Sequence, residues 1–218
     1  MNRIKMSELA KQLHMEAASK GFWDHTERTE SGVKLSGRDM QLQILKMHAE
    51  LSEALEEHRC GRPAVYVLAD DGDALYLETD IARFGGRKPE GWCVELADFA
   101  MMALDLIELL CNTGDGFDRR YEKERKDALQ FFQRIDNPPE ASAEEIEIAA
   151  LAAILFTAHD ALDRGGDPGS ADRLAAKLPI VLAILDAQME LWGYDLQELM
   201  RLKLEYNKTR KRLHGKRY

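Results

Sequence analysis

An all-α helical bundle is the fold this sequence predicts, and three observations carry it. Apolar residues recur at intervals of three and four over most of the chain, the period of helices that bury one face. Hydrophobic residues make up 45% and charged residues 32% of the 218 positions, the balance of a globular chain whose helices each keep a polar side. A strand-like pattern is confined to one stretch between Gly61 and Gly91. A chain of this length can close one sizeable core, so a single domain over 1–218 is expected.

The first helix is expected over Lys5 to Lys20, followed by a polar loop holding Gly21-Phe22-Trp23-Asp24 and Ser31-Gly32. The second runs from Arg38 to His58 on an apolar stripe of Ile44, Met47, Leu51, Ala54 and Leu55. Next, Ala64 to Leu68 and Ala74 to Leu77 flank Asp70-Asp71-Gly72-Asp73. This reads as a short hairpin, or as an irregular excursion across 61–90 with a short helix near Thr79 to Phe84. From Val94 to Leu110 the chain is apolar on nearly every helical face, the mark of a buried helix. Asn112 to Gly116 stops it, and a helix from Arg119 to Arg134 ends before Asn137-Pro138-Pro139. Ser142 and Glu145 have capping-box spacing and start a helix to Arg164. Helices over Ala171 to Trp192, with Pro179 as a site for a kink, and over Leu196 to Leu213 finish the chain. Aligning Glu95-Leu96-Ala97-Asp98 with Lys177-Leu178-Pro179-Ile180 brings Glu108-Leu109 onto Glu190-Leu191. A degenerate internal repeat, with an active half over 1–135 and a degenerate half over 136–218, is one reading, and chance likeness between amphipathic helices is the other.

Charge and composition exclude several functions. A net charge of −9 argues against general nucleic-acid binding. The apolar stretches at Phe99 to Leu110 and Ile148 to Thr157 are interrupted by acids or too short to span a bilayer, and MNRIKMSELAK lacks an apolar signal core. No membrane association and a cytoplasmic location are therefore expected. Cys60, Cys93 and Cys111 are odd in number and lack CxxC spacing, which fits reduced thiols rather than disulfides or zinc. The last eighteen residues hold eight Lys or Arg against one acid, so this tail suits an anionic ligand while cations collect on the acidic helices. Nucleotide phosphates with bound Mg²⁺ satisfy both.

The chemistry centres on two acidic pairs, Glu50 with Glu53 in HAELSEALEE and Glu95 with Asp98 in KPEGWCVELAD. Residues three apart stack on a helix, so each pair aims its oxygens at one point, and two such helices packed together would cage Mg²⁺. At roughly 100° per residue, Glu57 falls within about 60° of the first pair and Asp105 within about 80° of the second, extending each acidic face as a second layer of support; Glu108 points elsewhere. A solvated face accounts equally for the first pair, and buried ion pairs with Arg or Lys are the alternative for the second. His48 and His58 miss ExxH spacing, which leaves the chain without the Glu-x-x-His pairs of a di-iron carboxylate bundle.

HAELSEALEEHRCG, KPEGWCVELADFAMMALDLIE and KLEYNKTRKRLHGK, with a looser likeness at GFWD, resemble the MazG-like all-α nucleoside triphosphate pyrophosphohydrolases, whose pattern is ExxE, a spacer, then ExxD. The resemblance implies that family's helical bundle and Mg²⁺-dependent hydrolysis of a nucleoside or deoxynucleoside triphosphate to monophosphate and pyrophosphate, with Mn²⁺ as a substitute. Glu50, Glu53, Glu95 and Asp98 would hold the metal, and Glu53, with Glu50 beside it, would serve catalysis by orienting water. Lys203, Asn207 and Arg210, on one helical face, would clamp phosphates with Lys216, and Trp23 would stack on the base. A homodimer, or a monomer if the repeat is real, is the expected assembly. The chain departs from the family at Ala49, where many members carry Glu, and in the long span between the ExxD helix and the tail. A non-catalytic nucleotide-binding protein is the alternative in a different class.

Overall fold

The computed structural model describes residues 3–24, 27–29, 32–34, 37–68, 74–76, 87–111, 113–134 and 169–211. Within them the fold is all-α. Six helices carry it: α1 (Met6–Ser19), α2 (Gly37–Arg59), α3 (Trp92–Cys111), α4 (Asp115–Gln133), α5 (Gly169–Leu191) and α6 (Leu196–Lys208). No helix among the described residues is long and apolar enough to cross a membrane.

The expected loop after α1 holds a small antiparallel ladder instead, β1 (Glu27–Thr29) against β2 (Gly32–Lys34). ERT and GVK hold a single apolar residue, Val33, so they lack the apolar and aromatic run that marks a strand in sequence. The second hairpin was legible: β3 (Tyr66–Leu68) pairs with β4 (Ala74–Tyr76), with Tyr66 opposite Tyr76. Tyr66 also exchanges backbone hydrogen bonds with Glu90, so the excursion returns directly onto the start of α3. The short helix expected at Thr79 to Phe84 and the helix from Ser142 to Arg164 lie outside the described residues. α4 begins at Asp115, ahead of the expected Arg119, because Gly114 takes an extended N-cap conformation and Asp115 and Asp118 suit the positive end of a helix. α5 continues through Pro179.

α3 is the central post. It packs against α1, α2, α5 and α6, and its residues from Cys93 to Ala97, Phe99 to Met101, Ala103, Leu104, Leu106 and Ile107 are buried. α4 packs chiefly on α5, so this helix pair crosses the boundary at 135 drawn by the repeat reading. Polar contacts fix the ends of the bundle. Lys5 gives α1 no side-chain cap; Asp118 of α4 supplies one, accepting from the Ser7 backbone N–H at 2.8 Å and its hydroxyl at 2.6 Å. Asp186 of α5, 1% exposed, accepts from Arg3 at 2.5 and 2.6 Å and from the Tyr121 hydroxyl at 2.7 Å, and is ion-paired with Arg125, whose Nε lies 2.9 Å away without hydrogen-bond geometry. A buried carboxylate with this many donors is fully compensated.

Gly91 sets the start of α3. Its φ is +113°, and an added Cβ would lie 2.5 Å from the Ala64 carbonyl oxygen and 2.7 Å from that of Pro63. Its own carbonyl accepts from Val94 and Glu95, which fixes the turn that carries Glu95. Gly91→Ala is expected to destabilise the protein by about 2–4 kcal/mol, from strain in a left-handed conformation plus a backbone collision that no rotamer relieves. Chemical denaturation of the two proteins checks this, and equal midpoints would rule out the constraint.

Candidate metal centre and adjoining pocket

Side-by-side packing of α2 and α3 brings the two acidic pairs together. Glu50, Glu53 and Glu95 each offer a carboxylate oxygen, and these oxygens all lie within 4.8 Å of one another. Glu95 is buried, Glu50 half-buried and Glu53 exposed, so the cluster grades from core to solvent. Asp98, one turn beyond Glu95, is held by a different partner: the Lys203 ammonium of α6 sits 2.5 Å from Asp98 Oδ2. Lys203 is 3% exposed. Of the three tail residues expected to share a phosphate-facing surface, Lys203 thus turns inward as the counter-ion of the acidic helix, while Asn207 and Arg210 line the pocket described below.

Crowding leaves the cluster short of positive charge. Burial, reinforced by Asp98, Glu53 and Glu95, pushes the Glu50 carboxyl up to about 8. Glu95 is pushed up to about 7 by burial, an effect that Lys203 opposes. An all-oxygen donor set with uncompensated negative charge fits a hard divalent cation such as Mg²⁺, and Mn²⁺ has the same ligand preference. Of the four expected ligands, Glu50, Glu53 and Glu95 are brought together to hold it, while Asp98 borders them as the partner of Lys203.

Glu50 and Asp98 also line a cavity of about 240 Å³ between α1, α2, α3 and α6. Its apolar walls come from Leu13, Met101, Met102 and Leu204, with Phe22 and Trp23 from the turn after α1. The Trp23 indole N–H donates to both oxygens of Asp105, at 3.0 and 3.1 Å, and His14 Nδ1 lies 2.7 Å from the same carboxylate. Burial raises the Asp105 carboxyl, opposed by these two partners. Asp105 therefore anchors the aromatic wall, which is how it supports the site. Glu57 accepts from the Tyr66 hydroxyl at 2.9 Å and ties β3 to α2. It takes no place in the three-carboxylate cluster. Lys216 lies outside the described residues.

Several pocket residues carried no signal in the acidic motifs. Glu16, Ala17 and Lys20 continue the line of Leu13 along α1, and Lys46 stands over the Phe22 ring at 5.7 Å. Lys20 donates to the carbonyls of Lys208 at 3.2 Å and Arg210 at 2.6 Å, satisfying the C-terminus of α6 and holding it across the pocket. The i, i+3, i+4, i+7 spacing of Leu13, Glu16, Ala17 and Lys20 is the only sequence signal that marks this wall.

Comparison of the chain with protein-family models, with curated proteins and with solved structures found no match in any of the three.

The raised carboxyls set a pH dependence. Without metal, the folded protein keeps protons on Glu50 and Glu95 that the unfolded chain releases near 4.5, so their contribution to stability is full below that value and is lost as pH rises through about 7 and about 8. Thermal melts of metal-free protein from pH 5 to 8 are expected to fall with pH, and Glu50→Gln to flatten the fall. Saturating Mg²⁺ should restore stability most at pH 8, where it displaces fewest protons. A flat wild-type profile would contradict the crowding of these groups.

Proposed function

We infer that this protein is a Mg²⁺-dependent nucleoside triphosphate pyrophosphohydrolase of the MazG-like kind, acting in the cytoplasm on free nucleotides. The observation that supports this best is the sharing of Glu50 between a three-carboxylate cluster and an aromatic-walled cavity that Asp98 also lines. A cation-binding end suited to phosphates and an apolar end suited to a base are joined in one space. The ExxE and ExxD motifs and the basic tail agree with it.

In this reading Glu50, Glu53 and Glu95, with Asp98 beside them, would hold Mg²⁺, which would supply Lewis-acid polarisation of phosphate oxygens and a lowered pKa for nearby water. Glu53, at the solvent side of the cluster, orients water and takes its proton. Attack at the α-phosphorus forms the new P–O bond, the bond to the bridging oxygen breaks, and pyrophosphate leaves with that oxygen. Arg210 and Asn207 bind at the pocket rim, Lys203 keeps Asp98 oriented, and Trp23, braced by Asp105, offers its ring to the base.

A screen of pyrophosphate release over the standard ribo- and deoxyribonucleoside triphosphates with Mg²⁺ tests the reading. Monophosphate and pyrophosphate are the expected products, activity should vanish in chelator, and Glu95→Gln or Asp98→Asn should remove turnover while the fold persists. Orthophosphate with diphosphate as products, or wild-type turnover in either variant, would sink it. Nucleotide binding without turnover of any substrate would instead favour a non-catalytic nucleotide-binding protein.

The tail separates a specific contact from a general field. Arg210→Ala is expected to lower kcat/KM about ten- to a hundredfold, the loss of one charge-assisted phosphate contact. α6 ends at Lys208, short of the expected Leu213, and Lys211 is exposed and does not line the cavity, so Lys211→Ala should change it little. Equal losses that disappear in added salt would show that only net charge matters.

A further inference from the structure

A buried cation of the chain's own stands beside the carboxylate cluster. Lys203 is 3% exposed, and α6, which packs on α3, buries Leu199, Met200, Leu202 and Leu204 beside it. Its Nζ lies 2.5 Å from Asp98 Oδ2. The charge is felt beyond this pair, because it opposes the rise of both the Glu50 and the Glu95 carboxyl. Glu50, Glu53 and Glu95 bring their oxygens within 4.8 Å of one another, and Asp98, although three residues on from Glu95, is not a member of that group.

Resting on the reading that this cluster takes Mg²⁺, we propose that Lys203 is an internal competitor for that cation, holding Asp98 out of the donor set so that the three glutamates alone bind metal in the nucleotide-free protein. Asp98 turning to the metal either leaves a buried ammonium without its counter-ion or sets two cations on one carboxylate, and both are costly in a partly buried site. Lys203 therefore limits how many protein ligands the cluster supplies and how tightly it binds, since affinity for a hard cation rises with the number of carboxylates around it. Lys88 is the contrasting cation. It lies on the chain leading into α3, half-exposed, with its Nζ 2.8 Å from Glu90. Its charge also acts on Glu95, but it engages a residue outside the four expected ligands.

Calorimetric titration of Mg²⁺ into the metal-free full chain provides the test, with Mn²⁺ as a second probe whose coordinated waters are counted from water-proton relaxation. Lys203→Met, which keeps the length of the side chain and removes its charge, is expected to bind Mg²⁺ at least about tenfold more tightly than wild type. Lys203→Arg, which keeps the charge, should stay near wild type, and Lys88→Met should gain less than Lys203→Met. The count of waters on bound Mn²⁺ should fall in Lys203→Met as Asp98 takes a position on the metal. Asp98→Asn gives the same information if Lys203→Met does not fold: its water count should match wild type, where Asp98 holds no position. Equal or weaker Mg²⁺ binding by Lys203→Met, an equal gain in Lys203→Arg or Lys88→Met, an unchanged water count in Lys203→Met, or a raised one in Asp98→Asn overturns the inference. Failure of wild type to bind either metal overturns the metal site and the inference together. Pyrophosphate assays on the same proteins separate the two readings. Release with equal Mg²⁺ binding throughout leaves the hydrolase and overturns the competition, whereas the expected binding differences without release support the competition and overturn the hydrolase.

Discussion

Burial of α3 on nearly all its faces is the constraint on which the rest of the protein depends. Helices pack around it on several sides, and yet its first turns carry Glu95 and Asp98, which cannot be buried as lone charges without a large desolvation cost. The surrounding helices answer this in two ways. α6 sends Lys203 through an otherwise apolar contact to Asp98, and α2 brings Glu50 and Glu53, which worsen the excess of negative charge around Glu95. A structure optimised only for stability would not add carboxylates to a half-buried carboxylate. That excess is what supports the proposal of a cation site there.

The opposite end of the bundle shows what a purely structural acid looks like. Asp186 is 1% exposed, but Arg3, Arg125 and Tyr121 converge on it from the N-terminal segment and α4. Its negative charge is satisfied several times over, and its effect is to fasten three parts of the chain together. The two sites contain the same chemical group at similar depth, and they differ in the number of positive and hydrogen-bonding partners that packing delivers.

α1 links these two ends. Asp118 caps its first turn, His14 joins Trp23 on Asp105 at mid-helix, and Lys20 closes its last turn onto the end of α6. Each contact crosses from one helix to another, so the wall of the pocket is positioned by the bundle as a whole. Lys46 above Phe22 extends the same wall from α2.

The sequence by itself determined the all-α class, the extents of α1, α2 and α5 within a few residues, the hairpin of β3 and β4, and the stacking of Glu50 on Glu53 and of Glu95 on Asp98 within their own helices, because helical periodicity and i, i+3 spacing are local properties. It did not contain the ladder of β1 and β2, whose strands ERT and GVK carry one apolar residue between them, or the early start of α4, which rests on a glycine conformation. Tertiary structure alone decided the fate of groups whose partners are distant in the chain. Lys203 and Asp98 are far apart in sequence, as are Lys20 and Arg210. A helical wheel tells which way a carboxylate faces, but whether it meets a lysine, a tyrosine or another carboxylate depends on which helix packs there, and that choice sets its charge and its role.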